Sequence, residues 1–378
     1  MNPKPRPIAS FMVTPLYLLG SLLLTSCFAI PLGSSGAEVH GSSELAFGAK
    51  RTAEIDRIVA DSLWENGPGV AVLILDQGAI WQKGYGFSDV GAQRSITPDT
   101  VFDLASVSKQ MTAMGILILM EAGELELEDA VIEHLPDFAE PNPDDPILIA
   151  DLLYHTSGLA DYTGDAWQGT DAAFARLTVE DHLQWLNTQD IEGDRGVEFE
   201  YNNSGYALLA LIIERVSGQS FGDFMAEQIF MPLGMNNTVV FTDLAQQIPN
   251  RAEGYAVSPE GTFNPSASPS VIAGDGNIFS SIADLARYDQ GLRNGDLVEP
   301  ATLQLAFTSG TLDDGESFAY GLGWGVGSDY VEHSGSWYGT STFYRHYTEK
   351  PVTIIVLSND ENYPVDQLVD DLAKLLGY

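Results

Sequence analysis

The chain is poor in cysteine, in basic residues and in clustered histidines, and each shortage removes a class of function. Its one cysteine, Cys27, leaves no partner for a disulfide within the chain. Lysine and arginine number 17 against 53 aspartates and glutamates, a formal net charge of −36. A surface of that sign repels phosphate backbones and anionic headgroups, which excludes nucleic acid and an anionic lipid surface as partners. The histidines (His40, His134, His155, His182, His333 and His346) show no H-x-x-x-H spacing and no carboxylate-flanked cluster, so no metal site is expected. No phosphate-cradling glycine loop is present, and no cofactor is called for.

What is present is globular. With 378 residues and 44% hydrophobic content, the chain can bury a large core, as one big domain or two interleaved ones. The N-terminus reads as an export signal: Lys4 and Arg6 precede an apolar segment, Phe11 to Leu24, too short to span a membrane. Leu24-Thr25-Ser26-Cys27 resembles a bacterial lipobox, with Cys27 the site of diacylglyceryl attachment and the only membrane contact. An ordinary secretory signal cut after Ser35-Gly36-Ala37 is the alternative. Residues 1–27 are thus read as signal, 28–50 as a Gly/Ser/Ala-rich tether, and 51–378 as the folded domain.

Within that domain, Ile55, Ile58, Val59 and Leu63 fall at helical spacing, and strands are expected at Val70 to Leu75 and Ala79 to Tyr85 around an Asp76-Gln77-Gly78 turn. The apolar run Met114 to Met120 predicts a buried helix. From about 124 to 301 the pattern is helix and loop, with helices at 147–154, 178–188, 204–217, 221–230 and 281–292. The last two open on Ser220-x-x-Asp223 and Ser281-x-x-Asp284, a capping-box pattern. Strand signals return at Tyr320 to Val326, Tyr330 to His333, Thr342 to Tyr347 and Val352 to Leu357. An amphipathic helix runs from about Val365 to Leu376. The expectation is an α/β (α+β) fold: one antiparallel sheet built from both chain ends (51–123 and 302–378), flanked by helices, with a mostly helical insertion at 124–301.

Three polar stretches carry candidate chemistry. Ser106-Val107-Ser108-Lys109 feeds the buried helix, so the hydroxyl of Ser106 and the amine of Lys109 share a face. A serine becomes a nucleophile when an adjacent base takes its proton, and a helix start in an apolar surround disfavours a lysine's charged form. Backbone N–H groups at the helix start could also receive an oxyanion. The chain has six lysines and only Lys109 has a serine three residues before it. A capping serine beside a solvated lysine would give the same pattern. In Tyr201-Asn202-Asn203 the tyrosine could relay a proton and Asn203 could hold a substrate carbonyl or orient a lysine, or the stretch is a polar turn into a helix. In His333-Ser334-Gly335-Ser336, at the end of a strand, small residues let a substrate lie along the strand edge, with the Ser336 N–H as donor; a structural histidine is the alternative. Gly218-Gln219-Ser220-Phe221-Gly222 fits G-x-S-x-G, but a helix ends at Gly218 where a nucleophile elbow needs a strand, so Ser220 is read as a helix cap.

Taken in order, Ser106-x-x-Lys109, Tyr201-x-Asn203 and His333-x-Gly335 resemble the three active-site motifs of the serine β-lactamase and penicillin-binding protein superfamily. The branch of class C β-lactamases, D-alanyl-D-alanine carboxypeptidases and related esterases is the most similar. Leu152 to Leu159, Pro232-Leu233-Gly234-Met235 and Ser281 to Leu285 after a Gly-rich loop add to the likeness, which covers roughly 51–378. The resemblance implies Ser106 as acylated nucleophile, Lys109 as its base, Tyr201 as proton shuttle, Asn203 as substrate holder, and the N–H groups of Ser106 and Ser336 as oxyanion hole. His333 stands where class C β-lactamases carry lysine, a weaker anchor for a substrate carboxylate and closer to the carboxypeptidase and esterase members.

The sequence therefore predicts an exported, lipid-anchored, monomeric serine hydrolase that acts through an acyl-enzyme on a D-amino-acid peptide or small ester. A true β-lactamase is the alternative, and a non-catalytic surface lipoprotein serving as a binding module the further one.

Overall fold

A computed structural model describes residues 47–163 and 177–378, all within one compact unit, His40–Tyr378. Cys27, the lipobox and most of the tether lie outside the described residues. The principal elements, in order, are helix α1 (Ala49–Asp61), strands β1 (Val70–Asp76) and β2 (Ala79–Tyr85), helices α2 (Lys109–Glu121), α3 (Asn203–Ser217) and α4 (Ile282–Asn294), strands β3 (Gly325–Val326), β4 (Tyr330–Trp337), β5 (Thr340–Tyr347) and β6 (Val352–Ser358), and helix α5 (Val365–Leu376). The six strands form one antiparallel sheet in the order β3-β4-β5-β6-β1-β2. It joins both chain ends as expected, β1 pairing with β6 from Val70↔Ser358 to Asp76↔Val352.

The run Val70-Ala71-Val72-Leu73-Ile74-Leu75 is apolar throughout because β1 is covered on both faces. Alternate residues of a strand point to opposite sides. Ala71, Leu73 and Leu75 enter the core shared with α2, α3 and α4, while Val70, Val72 and Ile74 pack with Ile55 and Val59 of α1 and Leu368, Val369 and Leu372 of α5. The β6 strand alternates likewise, with Ile355 and Leu357 on one side and Ile354 and Val356 on the other. Each fully buried aliphatic side chain contributes about 1.5–3 kcal/mol, so this layering holds the sheet central. Helix α4, drawn from the stretch assigned to the helical insertion, packs against β1 and β6 and belongs to the sheet's covering layer.

Helix α2 is buried all round from Lys109 to Leu117, the signature of a helix inside a large core. Gly115 lets α3 approach: a Cβ there would come within 2.9 Å of Ile213 Cδ1 and 3.4 Å of Met225 Sδ.

Three expectations need correction. Tyr320 to Val326 is not a continuous strand: only Gly325–Val326 pairs with β4, and Tyr320 merely bridges Gly325. The reason is Gly323, whose φ of 78° breaks extended backbone and whose Cα faces the Lys109 carbonyl and Gln110 Cα, with 2.8 and 2.9 Å left for any Cβ. The strand expected to end at His333 runs on to Trp337, because Ser334 to Trp337 continue the ladder with β5 through Trp337↔Thr340. The insertion also contributes strands: Val239–Val240 and Ile278–Ser280 join Phe102–Asp103 of the preceding segment in a three-stranded sheet, whose two- and three-residue strands leave no periodicity to read. Together with the Leu104 N–H donating to the Ile278 carbonyl (2.9 Å), that small sheet holds Asp103–Ala105 beside the loop Gly274–Asn277.

Candidate active site

Ser106 sits in a 3₁₀ turn, Ala105–Ser108, that runs directly into α2. The residue before it, Ala105, takes φ +47°, a left-handed conformation that costs a non-glycine residue of order 1–3 kcal/mol and is held by the surrounding contacts. One of those is the Ala105 N–H donating to Asp103 Oδ1 (2.9 Å). Burial pushes the Asp103 carboxyl up to about 6, with the nearby Arg251 acting the other way.

Lys109 is completely buried. Its Nζ donates to Asn203 Oδ1 (2.8 Å) and to the Asp275 carbonyl (2.8 Å), and lies 3.2 Å from Ser106 Oγ. None of these acceptors is a carboxylate. The Tyr201 and Tyr206 rings lie over the amine, with centroids 4.9 and 5.5 Å away.

The partners of Lys109 are themselves fixed. Asn203 begins α3, whose N-cap Asn202 accepts from the Gly205 N–H (2.8 Å). Asp161 Oδ2 accepts from the Asn203 backbone N–H (2.7 Å) and from its Nδ2 (3.0 Å), and Thr163 Oγ1 accepts from Nδ2 as well (2.9 Å). With Nδ2 so engaged, Oδ1 is the atom presented to Lys109. The Asp275 carbonyl is placed by Thr112 of α2, whose hydroxyl donates to the Gly274 carbonyl (2.6 Å), and by Tyr162, which donates to Asp275 Oδ2 (2.7 Å). Burial raises the Asp275 carboxyl and Lys109 opposes that shift, while Asp275 Oδ1 is buried without a partner.

His155 pins the Tyr201 stretch from beneath. Its Nδ1 accepts from the Asn202 N–H (2.9 Å), and its ring packs between Tyr201, Tyr206 and Tyr320 with centroids 4.4, 5.0 and 4.8 Å away. Burial, reinforced by Lys109 and His333, holds this imidazole neutral, its pKa well below the usual value.

His333 lies on the far side of Tyr201, ring centroids 6.1 Å apart. Its Nδ1 donates to the Ser334 carbonyl (2.6 Å), which leaves Nε2 to accept from the Tyr320 hydroxyl (2.9 Å). Burial pushes its pKa down to about 4, and any positive charge on Lys109 acts in the same direction. At neutral pH this side chain is an uncharged imidazole with both nitrogens engaged, not a cation.

Gly335 is where β4 meets the Ser106 turn. A Cβ there would overlap the Leu104 carbonyl oxygen and Thr342 Oγ1 and stand 3.1 Å from Ala105 Cβ. Beyond Glu332 no described strand pairs with the outer edge of β4, because β3 reaches only Val331 and Glu332. Ser336, further along, lines a cleft of ≈ 350 Å³ together with Ser106, Asn203, Asp275 and Trp337.

Ser106, Asn203 and Ser336, drawn from three distant stretches, therefore line one cleft; Lys109 joins Ser106 to Asn203, Tyr201 lies against the Lys109 amine, His333 against Tyr201, and Gly335 against the Ser106 turn. Ser220 is elsewhere in role: it caps the helix Phe221–Met225, accepting from the Asp223 N–H (3.1 Å). The sequence reading missed His155, Asp161, Tyr162, Asp275 and Tyr320. Only the Gly-rich loop before Ser281 and the Leu152–Leu159 stretch hinted at any of them.

A family model described as Beta-lactamase matches residues 55–378. The chain is 35% identical over 301 residues to penicillin-binding protein 4* of Bacillus subtilis (strain 168), covering 75% of this chain and 66% of that protein. It is 30% identical over 338 residues to protein flp of Staphylococcus aureus (strain COL), covering 84% of this chain and 65% of that one. The chain thus spans slightly less than two thirds of the length of these two relatives. Among solved structures, the octameric penicillin-binding protein homologue from Pyrococcus abyssi superposes with a TM-score of 0.73 at 29% identity, covering 87% of this chain and 77% of that one.

Proposed function

The chain belongs to the beta-lactamase family, and from that premise we propose that it is a serine hydrolase in which Ser106 forms an acyl-enzyme with an ester or amide carbonyl. The observation that carries this reading is the Lys109 amine, 3.2 Å from Ser106 Oγ, with two neutral acceptors taking its other N–H bonds. Uncharged, the amine turns its lone pair toward Ser106. Ser106 Oγ attacks the carbonyl carbon as its proton passes to Lys109 Nζ, and the oxyanion is received by the N–H groups of Ser106 and Ser336. The intermediate collapses, the bond to the leaving group breaks, and the proton reaches that group through the Tyr201 hydroxyl. Water then attacks the acyl-enzyme carbonyl, giving up its proton along the same path, and the acid departs as Ser106 is regenerated.

The leaving group, on the Tyr201 side, meets His333, Tyr320 and Tyr201. With His333 uncharged, that end offers no strong partner for a terminal carboxylate, which supports esters and amides with a neutral leaving group over a D-alanyl-D-alanine peptide or a β-lactam. The enzyme works outside the cytoplasm as a monomer, tethered through lipidated Cys27.

Intact-mass measurement after incubation with a fluorophosphonate tests the reading. One adduct per chain, located on Ser106 and lost in Ser106→Ala, is expected; a folded wild-type protein that takes no adduct is instead the binding module.

A further inference from the structure

Seven of the nine described arginines lie within ion-pair distance of a carboxylate. Arg94 is also engaged, through Ser88 Oγ and the Arg251 carbonyl. Arg251 is the exception. Among the described residues its guanidinium has no ion pair and no side-chain hydrogen bond; it lies against the Phe279 and Phe241 rings, 4.5 and 5.1 Å from their centroids. Asp103 feels its charge but lies beyond contact. In a chain with 53 acidic residues, a cation fixed on two aromatic faces and left without an internal anion is available to one from outside.

Its position says which anion. Arg251 and Phe279 line a second cleft, of ≈ 280 Å³, with Tyr338, Gly339 and Thr340. The first cleft is lined by Ser106, Ser336 and Trp337, and Asp103 lines both. The two clefts therefore succeed one another along β4 and the turn into β5. Tyr201 and His333, which the proposed reaction puts on the leaving-group side, line neither cleft. A chain whose carbonyl rests at Ser106 and which runs along β4 toward Tyr338 arrives at Arg251.

We infer that Arg251 is a specificity residue: it receives a carboxylate carried by the acyl part of the substrate, so that the preferred substrates are esters or amides of acids with a second, distal carboxylate. The inference rests on the reading of Ser106 as nucleophile. A guanidinium meets a carboxylate with two parallel N–H bonds.

Nitrophenyl half-esters of linear dicarboxylic acids of increasing length, each paired with its methyl-capped diester, provide the test. The readout is the ratio of kcat/KM, anionic over capped. At the best length the wild type should favour the anionic ester about tenfold, the worth of one charge-assisted contact. In Arg251→Gln the ratio should fall to about one, with Arg251→Lys between. A wild type with no preference at any length overturns the inference, as does a ratio unchanged in Arg251→Gln or an equal loss on both esters, which would make the residue structural. Should Arg251→Gln not fold, added KCl on the wild type reads the same contact: the ratio should drop with salt, and indifference to salt counts against it. Capped esters turned over without anionic preference defeat this inference alone, whereas no turnover and no Ser106 adduct defeat the proposed function beneath it.

Discussion

Two of the buried polar clusters among the described residues are built on opposite plans. The first surrounds Asp289 of α4, fully buried, where Arg293 Nε donates to Oδ2 (2.8 Å) and Oδ1 is met by His346 Nδ1 (2.7 Å), Thr353 Oγ1 (2.7 Å) and the Tyr344 hydroxyl (3.1 Å). Against the cost of burial, these partners hold the Asp289 carboxyl below its usual range. The second surrounds Lys109, which has no carboxylate in contact and only neutral acceptors around it. Among the described residues, Asp275 Oδ1 and His155 Nε2 beside it are buried without partners. The matched cluster ties α4 to β5 and β6, whereas the unmatched one sets the Lys109 amine against Ser106 Oγ.

Three experiments put this contrast to the test. Lys109→Ala should lower kcat/KM for esters by about 10⁴-fold, as expected for loss of the base in a nucleophile–base pair, while Tm changes little. Normal turnover in that variant would rule out its role as base. Asp289→Ala should do the reverse, costing about 3–5 kcal/mol of stability because Arg293 and His346 lose their shared acceptor, with the surviving folded fraction turning over substrate at the normal rate; denaturant unfolding followed by circular dichroism measures the loss, and a change below about 1 kcal/mol would show the cluster to be incidental.

The smallest effect is in pH dependence. The folded His333 titrates at about 4 against 6.5 for the unfolded residue, so on this account the unfolded chain binds a proton that the folded one refuses between those values. The stability contributed is fully present above about 6.5 and is lost as pH falls toward 4. His333→Gln, which keeps an acceptor for Tyr320, should remove up to one proton from the slope of unfolding free energy across that window. An unchanged slope would mean that the imidazole charges freely in the fold.

What could be read from the sequence was whatever is local. Ser106 and Lys109 share one turn, and Tyr201 and Asn203 one helix start, so spacing alone puts each pair together. The all-apolar run at Val70 marks a strand covered on both faces. Asp161 and Asp275 could not be found that way. They act on Asn203 and Lys109 from 42 and 166 positions away; the Gly-rich loop around Asp275 marks a turn without naming its partner, and nothing near Asp161 signals it. The overextended strand at Tyr320 has a local cause: Gly323 must accept a left-handed turn to pass the α2 backbone, and alternating apolar residues conceal it.

The position of β1 also dictates when the molecule can take shape. Its neighbours are β2, made at once, and β6, whose Val352–Ser358 leaves the ribosome only after some 270 further residues, as the span from Asp76 to Val352 fixes. Until then β1 presents an unpaired apolar edge to whatever it meets, and closing the sheet waits on a pairing between distant segments, the slow kind of contact in folding.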